Sequence, residues 1–399
     1  MYELINFTGY GVPQMDDGTI SVFPGNQPQS GLRGASAADH DNDGDDDLFA
    51  ACYENARLYN SAYNATSGEW EYTDIAATAG VSTYASSSWA GVWTDYDRDN
   101  DLDLYITRAG VSGCMPEQPG SECMVPEVDY LLRNDMNVTG LFADVSSTAV
   151  GMSSTPTGAI CASWADYDND GDQDLIVPSL MDYNTYETAK LYINQDDGTF
   201  TEGFSSAFGS PSLYWVSGVH WLDIDNDDDL DAVFSAGAPT ATAQRVFVNN
   251  AGQFTEASTG LTMISTGVRV LDSNLDGLQD LLFLPGLSTD TPRMLHNISS
   301  GANVQLIDVT AAVGLNTVGR VDGATISDFN AGGGIAATDG DLDIYFGRPD
   351  DQAFFFRASS NDGSDAPENH YVALRLLPSG ANNASAIGAK VTAAYGPPP

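Results

Sequence analysis

The sequence predicts an all-β fold assembled from a repeated unit of four short strands. Three observations carry that reading. An aspartate-rich loop of one design recurs six times, short apolar runs sit at fixed offsets from each loop, and no segment has the length and period of a long helix.

The loop is most legible as Asp166-Tyr167-Asp168-Asn169-Asp170-Gly171-Asp172-Gln173-Asp174-Leu175, with acids at positions 1, 3, 5 and 9 and a turn residue at position 6. The first copy reads Asp39, Asp41, Asp43, Gly44, Asp47, and the second Asp95, Asp97, Asp99, Asn100, Asp103. The fourth is Asp223, Asp225, Asp227, Asp228, Asp231, and the fifth swaps one acid for an amide: Asp272, Asn274, Asp276, Gly277, Asp280. A sixth, Asp328 and Asn330 followed by Asp339, Gly340 and Asp343, fits once residues 332–338 are taken as an insertion. The first acids are spaced by roughly fifty to seventy residues, the period of a repeat architecture.

The parts of each unit follow in one order. A lead-in strand (Gly91-Val92-Trp93-Thr94, Ser163-Trp164-Ala165, Val219-His220-Trp221-Leu222) enters the loop. An apolar strand leaves it: Leu48-Phe49-Ala50, Leu104-Tyr105-Ile106, Leu175-Ile176-Val177, Ala232-Val233-Phe234, Leu281-Leu282-Phe283. A third strand ends near asparagine (Arg57-Leu58-Tyr59-Asn60, Leu131-Leu132-Arg133-Asn134, Leu191-Tyr192-Ile193-Asn194, Val246-Phe247-Val248-Asn249). A Gly-turn-aromatic strand such as Gly198-Thr199-Phe200-Thr201 completes the set, and four strands per unit is the composition of a β-propeller blade. Trp93, Trp164 and Trp221, each two residues before a loop, are expected in the core between units rather than at a ligand.

The spacing also predicts a ligand. Alternate carboxylates in a tight turn repel one another unless a cation sits among them, and Ca²⁺ takes six to eight oxygens in irregular geometry. Position 6 needs a backbone with positive φ, which Gly44, Asn100, Gly171, Asp228, Gly277 and Gly340 tolerate. The carbonyl of position 7 and the acid of position 9 would close the cage. The opening resembles an EF-hand, yet that loop closes on a glutamate at position 12 between helices, whereas a strand follows here. Five to six structural Ca²⁺ ions are therefore expected.

These Asp-x-Asp-x-Asp-Gly-x-x-Asp-Leu units resemble FG-GAP/VCBS repeats. The resemblance implies a seven-bladed propeller of four-stranded blades like the integrin α-subunit head, with calcium bound between the first two strands of a blade. Asn369-His370-Tyr371-Val372-Ala373-Leu374-Arg375-Leu376 and Ala386-Ile387-Gly388-Ala389-Lys390-Val391 look like the start of an ASPIC/UnbV segment, as in relatives of cartilage acidic protein. The expected organisation is N-terminal strands over 1–30 that belong to a closing blade, repeats over 31–348, and C-terminal strands over 349–399 that pack on or complete the propeller. Six blades with a small β cap is the alternative.

The formal charge is −42, from 56 acids against 14 bases. The loops use 22 of those acids, so an anionic surface remains after calcium is counted, and nucleic acid and anionic membranes are excluded as partners. No stretch is apolar enough to span a membrane, and Met1-Tyr2-Glu3-Leu4 lacks the basic start and apolar run of a signal peptide, so a secreted form is expected to have had its signal removed or replaced. Cys114 and Cys123 bracket a short insert and are expected to form a disulfide, whereas Cys52 and Cys161 read as buried thiols. Asn6, Asn64, Asn137, Asn297 and Asn383 open glycosylation sequons.

No convergent catalytic constellation is legible. His40, His220, His296 and His370 lack partners at metal-ligand spacing, and the acids that could serve a glycosidase belong to the loops. The expected function is a secreted or cell-surface, non-catalytic module that holds a protein or glycan partner. Its contact loops are 109–128, 180–190 and 331–338. A structural subunit that self-assembles outside the cell, and a polysaccharide lyase or hydrolase on the same scaffold, are the alternatives.

Overall fold

The structure, a computed structural model, describes residues 3–5, 32–52, 56–67, 69–84, 87–109, 127–146, 151–152, 156–179, 189–209, 211, 213, 215–237, 243–287, 289–301, 303–319, 321, 323–327, 342–347 and 354–357. These residues form six four-stranded antiparallel sheets.

Strand β1 (Glu3–Ile5) precedes the first sheet, which comprises β2 (Leu32–Ala38), β3 (Asp47–Cys52), β4 (Arg57–Asn64) and β5 (Glu69–Asp74). The second comprises β6 (Ser88–Thr94), β7 (Asp103–Arg108), β8 (Tyr130–Asp135) and β9 (Leu141–Asp144). The third runs β10 (Ser163–Ala165), β11 (Asp174–Pro178), β12 (Ala189–Asn194) and β13 (Phe200–Glu202). The fourth holds β14 (Val216–Leu222), β15 (Asp231–Ala236), β16 (Ala243–Asn250) and β17 (Gln253–Thr262). The fifth holds β18 (Ser265–Leu271), β19 (Asp280–Pro285), β20 (Arg293–Asn297) and β21 (Leu306–Asp308). The sixth joins β22 (Gly323–Ser327), β23 (Asp343–Gly347) and β24 (Phe354–Arg357) to β1, which pairs antiparallel with β24 through Leu4 opposite Phe356.

The aspartate loop is the turn between the first two strands of each sheet, and its position 9 opens the second strand. That strand is buried on both faces, which explains its apolar run. Successive side chains along it serve opposite neighbours. Leu104 and Ile106 join a core with Phe49, Leu58 and Ala51 of the first sheet. Tyr105 instead packs with Leu175, Val177 and Tyr192 of the third. Cores of the same kind lie between the third and fourth sheets (Ile176, Phe234, Phe247), the fourth and fifth (Val233, Leu281, Phe283), and the fifth and sixth (Leu282, Ile344, Phe346). The chain therefore builds sheet beside sheet, each apolar layer shared by two neighbours, and this arrangement fits a propeller.

Lead-in strands crowd together. A Cβ on Gly34 of β2 would stand 2.6 Å from the Trp89 carbonyl oxygen of β6, so only glycine permits that approach. Trp93 is buried in the junction core, while Trp164 and Trp221 are partly buried there.

The first sheet departs from the pattern. Leu104, Leu175, Ala232, Leu281 and Ile344, all at position 10, are 0 % exposed, whereas Leu48 is half-buried. Leu48 and Tyr59 share a face with Tyr63 and Trp70, which are 53 % and 50 % exposed and lie 5.4 Å apart. That face points away from the second sheet, and among the described residues no apolar cluster joins the sixth sheet to the first.

Asp328, Asn330 and Asp339 of the sixth loop, Cys114 and Cys123, and the 369–391 segment lie outside the described residues. Most of the inserts 109–128, 180–190 and 331–338 does too. Cys52 and Cys161 are free thiols.

Candidate metal centres

Five loops are described in full, and they share one backbone. Positions 4 and 6 both take positive φ: Asn42 and Gly44 (60° and 96°), Arg98 and Asn100 (60° and 74°), Asn169 and Gly171 (59° and 96°), Asn226 and Asp228 (60° and 73°), Leu275 and Gly277 (57° and 88°). Position 6 was legible from its residue types. Position 4 was not, although Asn in three of the five copies is its trace.

The double left-handed turn points backbone N–H groups inward. Asp43 and Gly44 donate to the two carboxylate oxygens of Asp39 at 3.0 and 2.9 Å. Asp99 and Asn100 donate likewise to Asp95, Asp227 and Asp228 to Asp223, and Asp276 and Gly277 to Asp272. Position 5 accepts the N–H of position 7, as Asp45 donates to Asp43 and Asp229 to Asp227. Carboxylates at 1 and 5 are thus oriented by the loop itself.

Position 9 does more than close the cage. Asp47, Asp103, Asp174, Asp231 and Asp280 are 0 % exposed. One oxygen of each accepts a backbone N–H from the third strand: Ser61, Asn134, Asn194, Asn249 or Asn297, at 2.6–2.8 Å. In four copies the other oxygen accepts the N–H of position 2, from His40, Tyr96, Ile224 or Ser273.

The asparagines that end the third strands then reach across to the preceding sheet. Asn134 donates its amide to the His40 carbonyl at 2.8 Å, Asn194 to Tyr96 at 2.9 Å, Asn249 to Tyr167 at 2.8 Å and Asn297 to Ile224 at 2.7 Å. Every acceptor is position 2 of the previous loop, so each asparagine clasps two sheets at the rim that carries the loops. In the first sheet the corresponding residue is Ser61, one place beyond the expected Asn60. Ser61 Oγ donates within its own sheet to the Asp46 carbonyl, while Asn60 instead donates to Asp41 at 2.7 Å.

The loops gather their acids as a cation would require. One oxygen from each of Asp39, Asp41 and Asp43 lies within 4.8 Å of the others, and so do those of Asp95, Asp97 and Asp99. The same holds for Asp166, Asp168 and Asp174, and for Asp223, Asp225 and Asp231. Two oxygens each about 2.4 Å from one ion lie at most ~4.8 Å apart, so the spacing suits Ca²⁺. Several carboxylate oxygens of the second, third and fourth loops are buried and meet no donor: one each on Asp97, Asp166, Asp168, Asp172 and Asp174, and both on Asp225. In the fifth loop the Asn274 amide donates to Asp276 at 2.9 Å.

Burial, and after it the neighbouring loop acids, raises these carboxyls. Asp174 is pushed up to about 8, Asp231 to about 7, and Asp97, Asp172 and Asp225 to about 6. Asp103 stands well above the usual carboxylate range. An all-oxygen set that resists ionisation alone is the donor set that a hard divalent cation would take, its charge favouring the ionised carboxylates. The residues present fit Ca²⁺.

The histidines divide. His40, at position 2, is wholly buried, hydrogen-bonds Asp47 through Nδ1 and stacks on Phe142 at 6.1 Å. His220 is held neutral by burial and by Arg269, its pKa pushed down to about 4. His296 meets Ser273 Oγ at 2.9 Å. Asp129, which the sequence reading passed over, is buried among Tyr105 Oη, Thr157 Oγ1 and the Arg108 N–H, and burial pushes it up to about 7. Its three donors make it a structural acid. A polar cleft of ≈ 390 Å³ opens beside the second loop, lined by Tyr96, Asp97, Arg133, Asp196 and Asp197 among others.

No family model matches the chain, and no curated protein matches it. Among solved structures it is similar to an Agrocybe aegerita lectin described as specifically recognising non-reducing terminal N-acetylglucosamine. The likeness has 14 % sequence identity and a TM-score of 0.49, and covers 80 % of this chain and 75 % of that one. At that identity and score it carries no argument about function.

Proposed function

We propose that this chain is a calcium-stabilised β-propeller that acts as a non-catalytic binding module outside the cell, holding a protein or glycan partner. The observation that carries the calcium reading is the convergence of three acids within 4.8 Å in each of the first four loops, joined in the second, third and fourth by buried carboxylate oxygens that meet no donor. A buried, unpaired carboxylate costs several kcal/mol, and a divalent ion shared among several removes that cost in one step. Asp39, Asp41, Asp43 and Asp47 would hold one ion, and the corresponding acids of the next three loops one each. Asp272, Asn274, Asp276 and Asp280 would hold a fifth. Bound there, the ion supplies charge neutralisation and a fixed turn. Since the loop acids are committed to it, none is available as a proton donor. Millimolar calcium outside cells suits the weak affinity of such loops, on the order of 10⁻⁴–10⁻³ M.

Seven blades is the reading that best fits the first sheet. Its face with Leu48, Tyr63 and Trp70 lies on the side where, among the described residues, the second strands of the other sheets are covered by a neighbouring sheet. The partner-binding reading draws on the polar cleft beside the second loop, where carboxylates and the Arg133 guanidinium offer acceptors and donors together. Metal analysis of the purified chain tests the calcium reading. About five ions per chain, lost on chelation with a lower melting temperature, are expected, and unchanged melting with no bound metal would sink it.

A further inference from the structure

The metal loops touch one another, and at the junctions along the first four loops the side chain at position 4 reaches toward the next sheet. Asn42, position 4 of the first loop, donates its amide to the Asn100 carbonyl at 3.2 Å and to Asp101 Oδ1 at 3.1 Å. Those are positions 6 and 7 of the second loop. Asp101 is held from its other side by Asn137, which donates to both its oxygens at 3.0 and 2.9 Å. Two sheets on, Asn169 donates to Asp229 Oδ1 at 2.9 Å, and the Ala251 N–H holds the other oxygen at 3.2 Å. Again a position-4 side chain grips position 7 of the next loop. Arg98 makes the equivalent reach from the second loop, pairing with Asp196 of the third sheet at 2.9 Å while its charge steadies Asp172.

Position 4 sits between the ligands at 3 and 5 and takes positive φ without being glycine, a conformation that side-chain-bearing residues adopt at a cost. Drawing positions 3 and 5 onto an ion fixes that backbone and, with it, the direction of the position-4 side chain. Position 7 offers its carbonyl to the ion of its own loop. A filled loop therefore holds a ligand of the next loop in place before that loop is filled. The position-4 contact stops at the fifth loop, which the fourth meets instead through the Asp223 N–H, donated to Gln279 Oε1 at 3.0 Å. The fifth loop has Leu275 at position 4 and Leu278 at position 7, which offer neither donor nor acid.

Resting on the calcium reading above, we propose that the position-4 residues Asn42, Arg98 and Asn169 are positioning residues that couple the first four calcium sites, so that these bind cooperatively. Linkage makes the coupling reciprocal, of about fivefold in affinity per junction at the modest end of such effects.

The test is a calcium titration of the metal-free full chain by calorimetry, comparing wild type with the Asn42→Gly, Asn169→Gly double variant. Glycine keeps the left-handed backbone and changes no charge, so each loop retains its ligands and its electrostatic neighbours. The expected result is a wild-type isotherm steeper than independent sites allow, and a shallower one in the variant with ion count and calcium-saturated melting temperature unchanged. Identical isotherms, or a shallower one accompanied by fewer bound ions, would overturn the coupling. Absence of binding in wild type would instead remove the calcium reading on which it stands.

Discussion

Asn249→Ala measures how firmly neighbouring sheets are held together at the loop rim. Asn249 is 1 % exposed and makes three side-chain hydrogen bonds. It donates to Tyr167 of the third sheet at 2.8 Å and to Leu230 at 3.1 Å, and accepts the Gly252 N–H at 2.8 Å. Alanine removes all three and strands two carbonyls and an N–H where water is scarce. At about 1 kcal/mol per net bond the loss is about 3 kcal/mol, a fall of about 3–4 °C in melting temperature for a chain of this size. Asn250→Ala is the control, because its exposed side chain lies one residue away. Differential scanning fluorimetry in saturating calcium reads both. If Asn249→Ala melts within about 1 °C of Asn250→Ala, the asparagine does not hold the two sheets and the clasp is only a geometric coincidence.

Asp225→Ala removes a carboxylate with both oxygens buried and unpaired, so elemental analysis is expected to find one ion fewer per chain, with the other sites filled. An ion at ten times its dissociation constant contributes about 1.4 kcal/mol, so excess chelator is expected to lower the melting temperature far more than Asp225→Ala does. In chelator, stability is expected to fall as pH rises from about 5 to about 8. Asp97, Asp225, Asp231 and Asp174 carry folded-state values of about 6, 6, 7 and 8, above the ordinary carboxylate range, so folding takes up protons in that window. In millimolar calcium the trend is expected to reverse, since protons then compete with the ion, and melting curves across pH in both buffers check the pair of slopes. Burial raises the Cys52 thiol and pushes Cys161 up to about 12, so a thiol reagent at pH 8 is expected to label neither until the chain is unfolded.

Much of the molecule was legible because its repeat is local. A carboxylate every second residue, a turn residue at position 6 and an apolar run after position 9 are constraints within ten residues, and each copy restates them. The clasp was half legible. Asparagine at the end of the third strand stood out, yet its acceptor lies in another sheet, 94 residues away for Asn134 and His40. No periodicity within one unit encodes that partner. Reading Asn60 as the first-sheet member followed from residue type alone, and pairing with Asp47 shows that Ser61 holds the position. Position 9 read as a metal ligand, while its second task of receiving third-strand N–H groups depends on sheet register.

Asn297 carries a consequence for how the protein can be made. It opens the sequon Asn297-Ile298-Ser299, yet it is 0 % exposed and its amide nitrogen is committed to the Ile224 carbonyl. Asn64, at the partly exposed end of β4, and Asn137, exposed in the one-turn helix Met136–Thr139, open the same signal. A eukaryotic secretory host that attaches a sugar to Asn297 during synthesis would block the contact between the fourth and fifth sheets before it forms. Bacterial expression, or an Asn297→Asp or Ser299→Ala exchange weighed against its own loss of bonding, avoids producing a population that cannot finish folding.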